Sequence, residues 1–491
     1  MAESIKYIGA STHDLDLFEG QYSIPNGMAY NSYVIDDEKI AIMDTVDKIV
    51  TDKWLENLKK ALDGREPEYL VVQHLEPDHS GNINTLLKMY EHLTLVCTAK
   101  AKAMLEQFDI EAENVMAVKE GDELSLGSHT LKFILAPMVH WPEVMITYEE
   151  SEKAIFSADA FGKFGALDVD EDWNCEARRY YFNIVGKYGL PLSNVLKKAG
   201  KLDIKTIYPL HGPILSDEIP EVLRLYTIWS SYEPEVEGVF IAYASMHGNT
   251  AEAARKMKQI LEEKGAKVAI SDLSRSDMAE NVEDAFRYST LLCMAPSYDG
   301  TVFTPMADFI HRLKTKLYQN RKVALVENAS WAPSAVKAMK AEFETMKNID
   351  LIDNTVTIKT TLKEKKISDI RNRVKIGNSA SADIFVSIHL NKIPQQQYWG
   401  WQCFYSSKSE ESMKLAKILQ SSLNDAIQKD NKRVAMKLDT VYIMKHVEIP
   451  ISIVECGFLS NPEEEQQLLD DEYQDKLAWG IYNGIIEYFT K

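Results

Sequence analysis

VVQHLEPDHSGN, Val71 to Asn82, sets two histidines and two carboxylates within six residues, directly after an apolar run. YLVVQHLEPD reads as a buried strand that runs out into a loop. Side chains alternate on a strand, so His74 and Glu76 face the same way, and Asp78 and His79 follow where the loop begins. Three further apolar stretches end in residues of the same kind: His140 in APMVHWPE, Asp159 in FSADAFG and His211 in YPLHGP. Such strand ends can converge on one rim of a sheet. Four histidines and three carboxylates there would bind two cations, with Asp159 free to bridge them. Singly, each residue has an ordinary explanation, since Asp78 and Ser80 suit a helix start and a loop histidine needs no ligand. Their coincidence at four strand ends favours a metal site.

At 491 residues the chain is too long for one core, and two to four domains are expected. Apolar residues make up 45% and charged residues 26%, enough core material for a soluble globular protein. A formal net charge of -19 argues against nucleic acid or an anionic membrane as the main partner, since either needs a basic face. Cys97, Cys175, Cys293, Cys403 and Cys456 stand singly, with no C-x-x-C pair. Neither a disulfide framework nor a thiolate metal knuckle is expected, and the cytoplasm is the expected location. The start, MAESIKYIGASTHDLDLFEGQY, has no basic segment followed by an apolar core, and no later apolar run is long enough to span a bilayer.

Up to about Tyr232, short apolar strands alternate with polar turns: YNSYVID, KIAIMDTV, YLVVQHL, LTLVCT, HTLKFILAPM, KAIFSAD and TIYPLHG. Helical patterns such as TDKWLENLKKAL and AKAMLEQF lie between them. The polar, proline-bearing SYEPEVEG reads as a linker. Five strand patterns separated by helices follow, VFIAYAS, VAISDL, TLLCMAPS, RKVALVEN and DLIDNTVTIK, which imply a parallel, doubly wound sheet. The helix that should complete its cover is missing, because the text changes character near Lys363 to Arg371. LKEKKISDIRNRVKI is expected to cover the sheet in its place. Beyond it come ADIFVSIHLN, GWQCFYSS, the helix ESMKLAKILQSSLNDAIQ, PISIVECGFLSN and the helix YQDKLAWGIYNGIIEYF. Three domains are expected, at 1–234, 235–366 and 367–491.

SMHGNT (Ser245, Met246, His247, Gly248, Asn249, Thr250) sits between a strand and a helix. Hydroxyls and backbone N–H groups at a helix N-terminus cradle a phosphate without a lysine, although the same residues also serve as plain caps. No G-K-[ST] and no G-x-G-x-x-G is present there, which disfavours a nucleoside triphosphate loop and a dinucleotide. Two further loops follow strand ends, where ligands bind in open α/β sheets. APSYDGTVF carries Ser297, Tyr298, Asp299 and Gly300, and ENASWAP carries Asn328, Ala329, Ser330 and Trp331. Tyr298 and Trp331 are placed to flank a planar ring, or else pack half-buried. The three loops together resemble a flavodoxin domain, and the resemblance implies FMN.

The strand-end cluster resembles the metallo-β-lactamase fold, and specifically its flavodiiron branch. Hydrolases of that fold carry H-x-H-x-D-H, whereas Glu76 stands at the third position here. A carboxylate in place of an imidazole makes the site harder and more anionic, favouring iron over zinc. The order of diiron domain, linker and flavodoxin domain resembles flavodiiron proteins over roughly residues 1–362. The resemblance implies that His74, Glu76 and His140 hold one iron, that Asp78, His79 and His211 hold the other, and that Asp159 lies between them. It further implies reduction of O2 to water or of NO to N2O, with electrons supplied by FMN. A head-to-tail homodimer, or a dimer of dimers, would bring the FMN of one chain near the irons of the other. The chain lacks the cysteine pairs of a fused rubredoxin, so a separate rubredoxin or similar carrier is the expected donor.

ADIFVSIHLN and ISIVECGFLSNPEEEQQLL resemble the zinc-dependent N-acetylmuramoyl-L-alanine amidases of spore-forming bacteria, which cut peptidoglycan. In that family the residue matching His389 binds zinc, and the one matching Glu455 is the general base for the zinc-bound water. The D-P-G-H-G-G type strand that supplies the first zinc histidine is absent, as is the glutamate ligand that follows it. One histidine cannot hold a catalytic zinc, which takes three protein ligands, so zinc is not expected at this end and the amidase activity is expected to be lost. The fold class implied is α/β multidomain: a metallo-β-lactamase-like αββα sandwich, a flavodoxin-like doubly wound parallel sheet, then a truncated amidase-like domain. Two rivals stand beside the reductase. One is a zinc hydrolase, of the metallo-β-lactamase type or the amidase type. The other is a tail that only binds cell-wall fragments.

Overall fold

The computed structural model describes residues 4–361, 366–428 and 430–491, and only the backbone of 366–369. Two compact units divide the chain, Met1–Leu362 and Lys363–Lys491. The first unit opens with six strands side by side: Ile5–Tyr7, Tyr33–Ile35, Ala41–Met43, Tyr69–Val71, Thr94–Thr98 and Val115–Val118. A second sheet contains Glu123–Ser125, Thr130–Leu135, Met145–Glu149, Ala154–Phe156 and Thr206–Tyr208. Alternation decides which face meets which. Tyr33, Met43, Val71 and Val96 pack with Phe133, Met145, Phe156 and Tyr208 between the sheets, while Val34, Ile42, Leu70 and Leu95 join a core with Trp54 and Leu58 of helix Thr51–Leu62. Two sheets face to face with helices outside give the αββα sandwich.

The strands that carry the metal-type residues run parallel. Ala41–Met43 pairs with Tyr69–Val71, and that strand with Thr94–Thr98. In the second sheet Ala154–Phe156 is parallel to Thr206–Tyr208. Their C-terminal ends therefore leave on shared rims, which is where Asp159 and His211 follow.

The rest of the first unit is a parallel sheet ordered Val268–Asp272, Val236–Tyr243, Tyr288–Tyr298, Arg321–Asn328, Ile349–Leu351, so the second strand in sequence lies at one edge. This is the flavodoxin-like strand order. One face carries Phe240, Leu291, Cys293 and Val323 against helices bearing Phe286, Phe309 and Met339. The other carries Ile241, Leu292 and Met294 against Ala253 and Ala254 of helix Asn249–Glu263. DLIDNTVTIK is broken in two, and Ile349–Leu351 and Val356–Ile358 both pair with Arg321–Asn328. The linker is short, because strand Val236–Tyr243 begins two residues after Pro234.

A buried polar clasp ties the two halves of this unit together. Arg178, on helix Trp173–Tyr180, places Nη2 at 2.9 Å from Glu235 Oε2 and Nη1 at 3.5 Å from Glu283 Oε1, on helix Met278–Arg287. Trp229 Nε1 donates to Glu235 Oε1 at 2.6 Å. Beside them Phe182 stacks on Phe286 with ring centroids 4.3 Å apart.

In the second unit the sheet order is Phe385–Asn391, Ile451–Phe458, Gln402–Tyr405, Met436–Lys437. Helix Glu410–Ile427 packs on helix Asp471–Thr490 through glycines. A Cβ on Gly480 would meet Leu423 Cδ2 at 3.0 Å, and one on Gly484 would meet Leu419 Cδ2 at 2.9 Å. Asn461 caps helix Pro462–Leu468 by accepting from the N–H groups of Glu463 and Glu464, and Pro462 opens the first turn. Helix Lys366–Ser379, the stretch expected as cover for the flavodoxin-like sheet, falls in the second unit, where Val374 packs with Ile443 and Met444 and Asn378 donates to the His446 carbonyl. Those partners belong to the same compact unit as the helix; residues 362–365 of that stretch lie outside the described residues. Among the described residues no helix is long and apolar enough to cross a membrane.

Candidate metal centre and cofactor cavity

All seven residues singled out at the strand ends come together. His74 and Glu76 leave strand Tyr69–Val71, and Asp78 and His79 sit in the single helical turn Pro77–Ser80 that Pro77 begins. His140 follows strand Thr130–Leu135, Asp159 follows Ala154–Phe156 and His211 follows Thr206–Tyr208. They form two groups, His74, Glu76, His140 and Asp159, and Asp78, His79 and His211, the ligand-type atoms of each within 4.8 Å of one another.

Asp159 faces both groups with different oxygens. Its Oδ2 lies 3.2 Å from His74 Nε2 and 3.4 Å from His140 Nε2, while its Oδ1 lies 3.2 Å from His79 Nε2 and 3.6 Å from His211 Nε2. Glu76 Oε2 is 3.1 Å from both His74 Nε2 and His140 Nε2, and Asp78 Oδ2 is 3.4 Å from His79 Nε2 and 3.3 Å from His211 Nε2. Many of these atoms are buried without a well-aligned hydrogen bond: both Asp78 oxygens, His79 Nε2, His140 Nε2, His211 Nε2 and Asp159 Oδ2. Buried polar atoms are normally paired, so a cluster that points at common centres and not at one another has the form of an ion-binding site.

Charge crowding shifts the ionisation of the cluster. Burial alone would push the Asp159 carboxyl up, but His79, His140 and His74 around it hold it well below the usual range. Burial likewise opposes the charge on Glu76, which His140 and His74 beside it draw down to about 2. For His140 burial acts downward, and Asp159 and Glu76 outweigh it to lift the imidazole to about 9. The arrangement favours positive charge, whether as protons or as a metal.

Three supporting residues escaped the sequence reading. Glu143 accepts from His74 Nδ1 at 2.8 Å, and Tyr180 donates to Asp159 Oδ1 at 3.1 Å. Asp44 accepts from the Gln73 N–H at 2.8 Å, holding the loop from which His74 projects. Glu143 had a local signal, its place in the HWPE stretch beside His140. Tyr180 and Asp44 had none, because their partners are distant in sequence.

The three loops of the flavodoxin-like sheet enclose one cavity of about 380 Å³, inside the usual range for a small-molecule site. Every residue singled out on those loops lines it except Gly248. Gly248 is the exposed N-cap of helix Asn249–Glu263, in the left-handed region at φ 87, and donates its N–H to Ser245 Oγ. Ser297 Oγ accepts from the N–H groups of Ser334 and Ala335, so only its own proton is free for a ligand. Trp331 is 91% exposed and Tyr298 44%, two aromatic walls on the open side. Thr360, unforeseen, completes the lining; it donates its hydroxyl to Ser330 Oγ at 3.0 Å, and its carbonyl accepts from Asn328 Nδ2 at 2.8 Å.

At the amidase-like end, His389 and Glu455 are direct neighbours on parallel strands. His389 is exposed and its Nε2 lies 2.7 Å from Ser387 Oγ, while Glu455 Oε2 is buried without a partner. Among the described residues no group of three metal-type side chains gathers in this unit.

Family models match three segments: the ODP family beta lactamase over residues 28–212, a flavodoxin domain over 240–356 and N-acetylmuramoyl-L-alanine amidase over 341–487. A nitric oxide reductase of Moorella thermoacetica is 31% identical over 376 residues, covering 72% of this chain and 90% of its own. Rubredoxin oxygen:oxidoreductase of Desulfovibrio gigas shares the fold at a TM-score of 0.70 and 24% identity, over 74% of this chain and 93% of its own. The flavodiiron protein of Giardia intestinalis does so at the same score and identity, over 74% and 91%. With the ligand-type cluster, the cofactor cavity and these likenesses together, the chain belongs to the flavodiiron protein family and carries an amidase-like segment after it.

Proposed function

We propose that this chain reduces O2 to water, or NO to N2O, at two irons held by His74, Glu76 and His140 and by Asp78, His79 and His211, with Asp159 bridging them. The observation that carries the reading is the set of buried, unaligned nitrogens and oxygens around Asp159, which faces one group with each oxygen. The donors are imidazoles and carboxylates without a thiolate, and three carboxylates among seven donors suit iron better than zinc. Bound irons would supply the electrons that the gas accepts. The protein's own part is to orient Asp159 through Tyr180 and His74 through Glu143, and to keep the site enclosed.

FMN is assigned to the cavity bounded by Ser245–Thr250, Ser297–Gly300 and Asn328–Trp331. Its phosphate would rest on the N-terminus of helix Asn249–Glu263, and its ring between Tyr298 and Trp331. A rubredoxin-like donor, a head-to-tail dimer or dimer of dimers, and a cytoplasmic location belong to the same reading. Cys97, Cys293, Cys403 and Cys456 are buried free thiols, which suit a reducing compartment. The sandwich is assigned to 1–234, the FMN domain to 235–362 and the amidase-like part to the remainder, the second boundary moved to the division between the compact units.

Metal and flavin analysis after anaerobic purification tests this reading. About two irons and about one FMN per chain are expected; zinc without flavin would move the assignment to a hydrolase. For the tail we propose no amidase turnover, because His389 has no second and third ligand gathered beside it among the described residues. Incubation with purified peptidoglycan should release no peptide; release that disappears in Glu455→Gln would show that zinc chemistry survives.

A further inference from the structure

Glu143 stands behind the metal cluster, 1% exposed. Its Oε1 accepts from His74 Nδ1 at 2.8 Å and from the Leu75 N–H at 3.1 Å, and its Oε2 is buried with no partner. Thr98 Oγ1 donates to the Glu143 carbonyl at 2.9 Å, and the Trp141 ring meets His74 edge-on at 5.2 Å. His74 is thereby held with Nε2, the opposite corner of the ring, aimed at Glu76 and Asp159. The second group has no equivalent among the described residues. His211 Nδ1 meets a neutral acceptor, the Ala29 carbonyl, at 2.7 Å, and His79 Nδ1 is buried without a partner.

We infer that Glu143 is a positioning residue that makes the two metal sites unequal: through His74 it gives the His74–Glu76–His140 site the tighter hold on its cation. The inference rests on the reading that the cluster holds two irons. A carboxylate behind a ligating imidazole fixes the ring and raises its basicity. Here it also adds a buried negative charge to one site only, and in a water-poor interior that charge acts with little screening.

The test is anaerobic Fe(II) titration of the metal-stripped, FMN-bearing full chain against a competing chelator, for the parent, Glu143→Gln and Glu143→Asp. Glu143→Gln keeps the size and an accepting oxygen but removes the charge. It should weaken one Fe(II) site about 10–100-fold and leave the other unchanged. Its diiron reduction potential should rise relative to the parent, because removing a negative charge destabilises the more positive, oxidised metal, and Glu143→Asp should restore part of both. Two sites that weaken together, or neither weakening, would overturn the inference. Should Glu143→Gln lose its FMN and native circular dichroism, the Glu143→Asp titration decides: a selective change at one site supports the inference and an equal change at both refutes it. A parent that takes up fewer than two Fe(II) removes the diiron reading itself, and the inference with it.

Discussion

Asp159→Ala is expected to bind at most one iron and to lose reductase turnover by more than the roughly 10–100-fold that the loss of an outer-shell partner costs. The expectation follows from its two faces. One oxygen lies 3.2 Å from His74 Nε2 and the other 3.2 Å from His79 Nε2, so a single substitution removes a donor from both groups. The residue is 1% exposed, and water has little access to replace the missing oxygen. Iron analysis and anaerobic NO or O2 consumption measure the effect together. An Asp159→Ala chain with two irons and parental turnover would place the bridge elsewhere. Without metal the same variant separates structure from chemistry: removing the carboxylate takes a counter-charge from His74, His79 and His140, which favours their neutral forms.

Arg178→Ala is expected to destabilise the first unit by about 3–5 kcal/mol, the range for breaking a buried ionic cluster by removing one partner. Arg178 is 4% exposed and is the cation for the half-buried Glu235 carboxylate, with the buried Glu283 carboxyl 3.5 Å away. Its loss leaves Glu235, in the segment that joins the two halves, with the neutral donor Trp229 Nε1 in place of a cation, and takes from Glu283, on helix Met278–Arg287, the cation that favours its charged form. Chemical denaturation should show the fall in midpoint. The variant with Arg178→Met, Glu235→Gln and Glu283→Gln together should recover much of it, because the penalty lies in uncompensated charge.

Glu283 adds a pH signature to that clasp. Burial pushes its carboxyl up to about 8, more than the nearby Arg178 pulls it down. Between about pH 4.5 and 8 the folded chain therefore binds a proton that the unfolded chain has released, and stability falls as pH rises through that window. Glu283→Gln should flatten this decline and raise the midpoint at neutral pH, while Arg178 keeps Glu235. A decline that persists unchanged in Glu283→Gln would assign the pH dependence to another group.

The sequence by itself determined the period-two strands of the sandwich and the parallel, doubly wound form of the flavodoxin-like sheet, and it named the seven metal-type residues that the structure brings together. These are properties of local pattern. A strand-end histidine follows its apolar run whatever else the chain does, and Pro77 and Asn461 begin their helices with partners no more than a few residues away. Tertiary structure alone decided the rest. Which oxygen of Asp159 faces which group depends on two sheets closing on one another, and the hydrogen bond from Tyr180 spans 21 residues between separate elements. Helix Lys366–Ser379 shows the limit most plainly. Its helical pattern was readable, but amphipathic periodicity names the face a helix buries and not the surface it buries it against, and the apolar residues of the tail supplied that surface.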